Sequence, residues 1–138
     1  MAIPFWRYEE LPAGPLSGEI VVDAMNYYEG RDGWIDFGDL TSSETIARRL
    51  PDARVVKAFY ETLRTEGTRS GGERLVLFVA GDDGEAKAVV SGLIEEIGFE
   101  PVDTGSLRDG GRKQQPGSPI YNNPITAEQT REVLAGLR

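Results

Sequence analysis

The sequence predicts an α/β fold, namely part of a doubly wound, Rossmann-like parallel sheet. Residues 75–80 form a continuous apolar run, which is typical of a strand buried on both faces of a parallel sheet. Apolar side chains then recur at helical spacing over residues 85–97, and Gly98 stands where that helix should end. Residues 99–103 have the composition of a second short strand. Because strand–helix–strand units of this length normally join parallel strands, we expect a parallel sheet.

Two further strands and two further helices complete the predicted fold. Residues 20–22 and 54–59 are apolar enough to form buried strands. Residues 41–44 are capping residues, and they precede the apolar positions of a helix that ends at residues 51–52. Thr126 is expected to cap a C-terminal helix, whereas residues 9–18 are rich in Pro and Gly and predict a loop or a broken helix.

Composition narrows the class of protein. The 138 residues are enough for one domain with its own core, spanning residues 1–138. The net charge of −8 argues against a nucleic-acid-binding surface, because basic patches supply that affinity. The sequence contains no Cys and no His, so thiol chemistry is excluded, and no metal site is predicted. No apolar run is long enough to span a membrane and no signal peptide is visible, so we expect a cytoplasmic protein.

Four segments of the chain follow the order of one enzyme family. They are residues 20–26 (IVVDAMN), 54–59 (RVVKAF), 74–107 (including VLFVAGDD and PVDTGSL) and 115–121 (QPGSPIY). Together they resemble the NADP-binding domain of the NADP-dependent reductases of coenzyme F-420, a 5-deazaflavin. That family begins with a strand–GxGxxG–helix motif, which does not occur in this sequence. The resemblance therefore implies a Rossmann-like fold that lacks the first dinucleotide-binding half.

The resemblance implies an oxidoreductase that transfers a hydride between NADP(H) and coenzyme F-420, a flavin or another small acceptor. Such a reaction suits a chain without His or Cys, because the cofactor carries the chemistry and the protein supplies position and a dry cleft. The expected partners are a dinucleotide and a small-molecule acceptor. A homodimer is also expected, since a strand near Ala2 would otherwise present an open sheet edge. The alternative is a non-catalytic binding or dimerisation module built on half of a dinucleotide-binding fold.

The N-terminal segment is a predicted cofactor-binding segment. The resemblance places Ile3, Pro4 and Phe5 where the chain turns over the nicotinamide end of the cofactor, after a strand whose beginning is cut away. The alternative is a frayed N-terminal strand or an aromatic anchor that packs on the core. No catalytic side chain is identified in this segment or elsewhere.

The exit of the strand at residues 54–59 is a second predicted contact. Members of the family place groups that face the deazaflavin and the nicotinamide near this turn, which here implies Phe59 and Thr62. The family commonly has Asn where this chain has Tyr60, a difference that affects the contact implied with the second cofactor, the deazaflavin.

Two more positions are predicted from the sheet itself, because open α/β sheets bind ligands beyond the carboxyl ends of their strands. Asn26 follows the first strand, where it could hydrogen-bond a carboxamide or ribose or simply begin a turn. Gly105, Ser106 and Leu107 follow the last strand. Small residues there would let a flat ring approach the backbone, or would form an ordinary turn. The resemblance points to a deazaflavin or substrate contact at the second position.

Four other features are interpreted as structural. Asp82 and Asp83 suit the positive end of a helix rather than a metal or phosphate site. Lys57 invites a Schiff-base interpretation, but a single lysine in a strand is usually an edge or snorkelling residue. Residues 67–73 and 108–119 are interpreted as flexible or solvated loops, although both contain groups suited to anions.

Overall fold

The computed structural model describes residues 1–59 and 73–137. The protein has four strands, β1 (Ile20–Asp23), β2 (Arg54–Lys57), β3 (Val76–Gly81) and β4 (Glu100–Gly105). A 3-10 helix (Phe5–Glu10) precedes the α-helices, which are α1 (Glu29–Asp32), α2 (Ser42–Arg49), α3 (Gly84–Glu96), α4 (Asp109–Lys113) and α5 (Ala127–Gly136). The predicted α/β class with a partial Rossmann-like sheet is confirmed. None of the helices in the described ranges has the length and apolar character that crossing a membrane requires.

Parallel pairings dominate the sheet, which has the strand order β1-β2-β3-β4. β1 and β2 pair in parallel, and so do β3 and β4. The pairing of β2 with β3 is antiparallel and joins only Val56 with Gly81 and Lys57 with Ala80. The sequence predicts parallel strands throughout, so this pairing is an exception. A crossover helix makes the two strands that it connects parallel. Helix α2 connects β1 with β2, and α3 connects β3 with β4, so neither helix determines the direction of β3 relative to β2.

Helices cover both faces of the sheet. α3 covers one face, and the buried cluster there consists of Val56, Ala58, Leu77, Val79, Ala86, Val90, Ile94 and Phe99. The opposite face packs against α2 and the 3-10 helix near β1 and β2, and against α5 near β3. The alternation of Val55 and Val56 between the two faces shows why a strand buried on both sides reads as a continuous apolar run.

The apolar residues of α3 form two stripes on the helix. The buried stripe consists of Ala86, Val90 and Ile94. Val89, Leu93 and Ile97 form a second stripe that is about half exposed, at 47%, 49% and 50%. The sequence predicts that all six side chains share one apolar side. A single sheet face covers only one side of a helix, so the second stripe lies at the surface.

The first residue of the chain lies along β1. The Met1 amino group donates to the Val22 carbonyl (3.0 Å), and the Ala24 amide donates to the Met1 carbonyl (3.1 Å). This is the hydrogen-bond pattern of two parallel strands, and it aligns Met1 with Asp23. The chain then enters the 3-10 helix at Phe5.

Candidate functional site

The carboxyl ends of the four strands form one row across the sheet. The strand pairings align Asp23 of β1 with Lys57 of β2, Lys57 with Ala80 of β3, and Ala80 with Gly105 of β4. The antiparallel pairing overlaps β2 and β3 only at these ends, so the residues that follow β1 and β4 come together. Ligands of open α/β sheets bind beyond the carboxyl ends of the strands, so the loops that follow this row are the candidate region.

A buried ion pair lies in this row. Lys57 Nζ is 3.7 Å from Asp23 Oδ2, and the two side chains are 1% and 0% exposed. Burial lowers the pKa of Lys57, and the Asp23 carboxylate partly offsets this by attraction and hydrogen bonding. The interpretation of Lys57 as an edge or snorkelling residue is therefore wrong. The parallel register of β1 and β2 encloses the amine and sets it opposite a carboxylate.

The ion pair holds the loop that follows β1. Asp23 Oδ1 accepts a hydrogen bond from the Met25 amide (2.9 Å), and Lys57 Nζ donates to the Met25 carbonyl. Asp23 Oδ2 also accepts from the Ser43 hydroxyl (3.0 Å) in the first turn of α2. Both backbone groups of Met25 are thus held by side chains of the pair, so the path of the loop depends on the pair.

A small cleft opens beside the first turn of α2. We call it the aromatic cleft; its volume is about 200 Å³ and its lining residues are Tyr27, Phe37, Leu40, Ser42, Gln115 and Pro116. The rings of Tyr27 and Phe37 meet edge to face with centroids 4.8 Å apart. On the other side, Gln115 Oε1 accepts from the Ser42 amide (3.1 Å). An apolar wall that faces a few fixed polar groups is typical of small-molecule sites.

Phe5 supports the aromatic cleft from behind. Its ring centroid lies 5.8 Å from that of Tyr27 and 5.6 Å from that of Phe37, and Phe5 is fully buried. The Tyr27 hydroxyl donates to the Gly33 carbonyl (2.9 Å), which fixes the orientation of the ring. The aromatic wall is therefore preorganised by packing on the core.

Helix α4 packs closely against β4 at the far end of the row. A Cβ on Gly110 would lie 2.7 Å from Thr104 Oγ1, so only glycine permits this approach. Gln114 is fully buried, and its Nε2 donates to Thr104 Oγ1 (2.8 Å). The prediction of a solvated loop at residues 108–119 is wrong for this part of the segment. Its glycines allow a helix to pack closely on the strand. A segment rich in Gly can be either closely packed or mobile, and composition alone does not distinguish the two.

The three longest described helices have closed N-termini. α2 and α5 carry complete capping boxes, Thr41 with Glu44 and Thr126 with Gln129. Asp83 caps α3 by accepting from an amide of its first turn. These contacts confirm the predicted capping roles, and they occupy amides that a pyrophosphate would otherwise bind. Within the described ranges, no group of three or more acidic side chains gathers as a metal site would require.

Two predicted cofactor-binding residues, Asn26 and Phe5, lie next to residues that line the aromatic cleft. Asn26 directly precedes Tyr27, and its carbonyl accepts from Arg31 Nη2 (2.5 Å). Phe5 lies behind the cleft, whereas Ile3 is partly exposed and Pro4 is exposed at the start of the 3-10 helix. Their contacts with a cofactor stay predictions.

The exit of β2 carries an unusual backbone conformation. Phe59 has a φ of 57°, which is uncommon for a bulky residue and is found preferentially at strained functional positions. The predicted contact at Thr62, the family difference at Tyr60 and most of the loop at residues 67–73 lie outside the described residues.

Gly105, Ser106 and Leu107 form the turn between β4 and α4. The Ser106 hydroxyl accepts from an amide in the first turn of α4 (3.0 Å). The Leu107 amide donates to Asp82 (3.0 Å), and its carbonyl accepts from the Thr41 hydroxyl (3.1 Å). The turn thus connects α4 with the start of α2. A contact of these residues with a flat ring stays a prediction.

Most residues that line the aromatic cleft escaped the sequence analysis. Tyr27 lies in a loop rich in aromatic residues and Gly, a composition that suits either the lining of a site or the cover of an apolar edge. Phe37 and Leu40 carry no motif, and Ser42 reads as a capping residue. The available signal was their position, because they precede or begin the helix that follows the first strand, where open α/β sheets bind ligands.

Comparison with known proteins gives two informative structural neighbours. The crystal structure of a hypothetical protein from Sinorhizobium meliloti matches with a TM-score of 0.78 and 31% identity, over 91% of this chain and 64% of that chain. A proposed F-420-dependent NADP reductase from an Arthrobacter species matches with a TM-score of 0.56 and 30% identity, over 69% of this chain and 46% of that chain. The chain therefore spans less than two thirds of either neighbour, and it shares an oxidoreductase-like fold with the second. No family model matches the sequence.

Proposed function

We propose that this chain forms the acceptor-binding part of an NADP(H)-dependent reductase, which exchanges a hydride between NADP(H) and coenzyme F-420, a flavin or another small acceptor. The aromatic cleft carries the proposal, because it combines an apolar wall of aromatic rings with polar groups beside the carboxyl ends of the strands. The similarity to a proposed reductase supports the same reaction class. A bound nicotinamide or deazaflavin supplies the hydride chemistry itself.

The aromatic cleft fits one ring system and not a whole dinucleotide. Its volume of about 200 Å³ lies below the roughly 300–1,000 Å³ of sites that enclose a complete ligand. Tyr27 and Phe37 offer apolar surface to a flat ring, and the Ser42 hydroxyl and Gln115 amide can meet its polar edge. Donors and acceptors of this kind suit the carbonyl and N–H groups of a deazaflavin, a flavin or a nicotinamide carboxamide.

In this proposal the protein contributes to the reaction by holding the bound ring in a fixed position. The buried ring of Phe5 fixes the aromatic wall, and the Asp23–Lys57 pair fixes the loop that carries Tyr27. The Ser43 hydroxyl joins the same pair to the start of α2. A site held by packing and by buried hydrogen bonds keeps a bound ring in one orientation, which hydride transfer requires.

The phosphates of the dinucleotide need a different set of groups. The three longest described helices are capped by their own side chains, and the sequence lacks a GxGxxG turn. We propose that groups other than a GxGxxG turn or a helix N-terminus, brought together across the interface of the predicted homodimer, bind the phosphates. A cleft of about 520 Å³ along the edge of β1 offers apolar surface for such a contact, lined in part by Met1, Leu16, Ile20 and Val22.

The capped helices also favour a second candidate, a non-catalytic binding or dimerisation module. Such a module would keep the aromatic cleft and bind a ring, but it would have no measurable affinity for NADPH. Calorimetric titration of the full chain with NADPH separates the two functions. Binding supports the reductase, and its absence supports the module.

Ring binding itself is tested with riboflavin, whose fluorescence reports complex formation. We expect the full chain to bind riboflavin in the aromatic cleft. Leu40→Trp fills the cleft and should weaken binding by at least about tenfold, which corresponds to about 1.4 kcal/mol. Leu93→Trp adds the same side chain to the exposed stripe of α3 and should leave the affinity unchanged. Equal affinities for wild type and Leu40→Trp would contradict the proposed site.

A further inference from the structure

A second cleft lies next to the aromatic cleft along α2. We call it the α2 cleft; its volume is about 430 Å³, and Thr45, Arg48 and Arg49 line it on the side of the helix. The two clefts share Phe37 and Leu40 as lining residues, so they adjoin each other. We call the two adjoining clefts together the groove; both lie between α2 and the segment at residues 36–40.

The groove follows one face of α2. Ser42 lines the aromatic cleft, while Thr45 and Arg48 or Arg49 line the α2 cleft. Residues three or four positions apart lie on the same side of a helix, so these side chains form a row. At 1.5 Å per residue, Arg48 lies about 9 Å along the axis from Ser42. The aromatic cleft therefore lies beside the start of α2, and the two guanidinium groups belong to its last turn.

The two arginines are available for a ligand. Arg49 Nε donates to the backbone carbonyl of Glu9 (3.0 Å), which holds the guanidinium at the cleft without neutralising it. Among the residues that the structure describes, neither Arg48 nor Arg49 has an ion-pair partner, whereas Arg7 in the 3-10 helix and Arg31 in α1 are paired with carboxylates. Adjacent arginines without partners are unexpected in a chain of net charge −8, and a guanidinium fork matches the oxygens of phosphate.

Two carboxylates, Glu9 and Asp36, also line the α2 cleft. Asp36 Oδ1 accepts from the Gly38 amide (2.9 Å), which holds this side chain in its own turn. The formal charges of the two acids and the two arginines cancel. An anion in the α2 cleft therefore gains directed hydrogen bonds rather than a strong field, and its binding should strengthen when one acid is neutralised.

We propose that the ligand of the aromatic cleft carries a phosphate group on a chain attached to its ring, and that Arg48 and Arg49 bind this phosphate. The inference rests on the proposed function, because it assumes a ring in the aromatic cleft. A ribityl phosphate attached to a flavin or deazaflavin ring has this form.

Riboflavin and flavin mononucleotide test the inference, because they share a ring and a ribityl chain and differ by one phosphate. We expect the full chain to bind flavin mononucleotide about three- to tenfold more tightly than riboflavin at low salt, as two exposed charge-assisted contacts allow. The preference should shrink as salt is added, because exposed charges are screened. Equal affinities for the two compounds overturn this inference and leave the proposed ring site standing, whereas binding of neither compound overturns both.

Variants of the α2 cleft locate the phosphate. Arg48→Gln, alone and combined with Arg49→Gln, should remove the preference for flavin mononucleotide without changing riboflavin affinity. Asp36→Asn keeps the acceptor for the Gly38 amide but removes a charge, so it should increase the preference. Arg131→Gln, at an exposed position of α5, is the matched control and should change neither affinity. A loss of preference in the Arg131→Gln control, or an unchanged preference in the Arg48→Gln/Arg49→Gln variant, overturns the inference.

Discussion

The two crossover units of the sheet have the same architecture and different starts to their helices. In the first unit, β1–α2–β2, the start of α2 donates hydrogen bonds to three distant segments. Ser43 donates to Asp23, Ser42 donates to Gln115, and the Thr41 cap donates to the Leu107 carbonyl. In the second unit, β3–α3–β4, Asp83 closes the helix start by a local cap. An ion pair of Arg54 with Glu85 (3.9 Å) joins the start of α3 to β2, and an ion pair of Lys87 with Asp103 (2.8 Å) joins it to β4.

The strands of the two units also differ in whether they contain buried charges. β3 is buried over its whole length by apolar residues, and α3 packs on it through Ala86, Val90 and Ile94. β1 and β2 end instead in the buried charges of Asp23 and Lys57. Buried charges cost stability unless they are fully paired, so their presence needs a reason beyond folding. The first unit positions the loops around a site, and the second is mainly a scaffold.

The largest expected effect is the loss of the buried ion pair. Lys57→Met keeps the length of the side chain but leaves Asp23 buried without its cation, which should destabilise the protein by about 3–5 kcal/mol. Chemical denaturation monitored by tryptophan fluorescence measures the change. The double variant Asp23→Asn/Lys57→Met removes both charges, so most of the stability should return. A double variant as unstable as Lys57→Met would show that the charge pairing is not what matters.

The same double variant also shows whether the ion pair positions the loop after β1 or only stabilises the fold. The Asn side chain can still accept from the Met25 amide, but the Met side chain cannot donate to the Met25 carbonyl. The loop should therefore lose one of its two anchors even in a stable protein, and riboflavin binding should weaken. Unchanged riboflavin affinity in a stable double variant would assign the pair a purely structural role.

A smaller effect is expected where α4 approaches β4. Gly110→Ala places a Cβ 2.7 Å from Thr104 and should displace α4, at a cost of about 1–3 kcal/mol. Gly92→Ala is the matched control in α3, where nothing lies within 4 Å of the new Cβ. Because alanine favours a helix over glycine, Gly92→Ala should stabilise the protein by up to about 1 kcal/mol. Thermal denaturation of both variants measures the contrast, and a neutral Gly110→Ala would contradict the close packing.

Local sequence signals predicted the scaffold well. The apolar run of β3, the periodicity of α3 and the caps at Thr41 and Thr126 depend on neighbouring residues, so they can be read from the chain alone. The antiparallel pairing of β2 with β3 depends on strands whose connection carries no crossover signal, and it was not predicted.

The site was predicted less well, because distant segments assemble it. Lys57 is buried only because the register of β1 and β2 sets it opposite Asp23, and no local pattern fixes that register. The aromatic cleft combines Tyr27 and Phe37 with Gln115, which lies far along the chain. The rule that ligands bind at the carboxyl ends of strands identified the region of Asn26, but not the side chains that line the cleft.

The most direct test of the account is a nuclear magnetic resonance titration of the isotope-labelled chain with riboflavin. The account predicts that the amide signals of Tyr27, Leu40, Ser42 and Gln115 shift on binding, while those of Val89 and Leu93 on the exposed stripe of α3 do not. Shifts confined to α3, with the signals of the first unit unchanged, would contradict the assignment of the site to the start of α2.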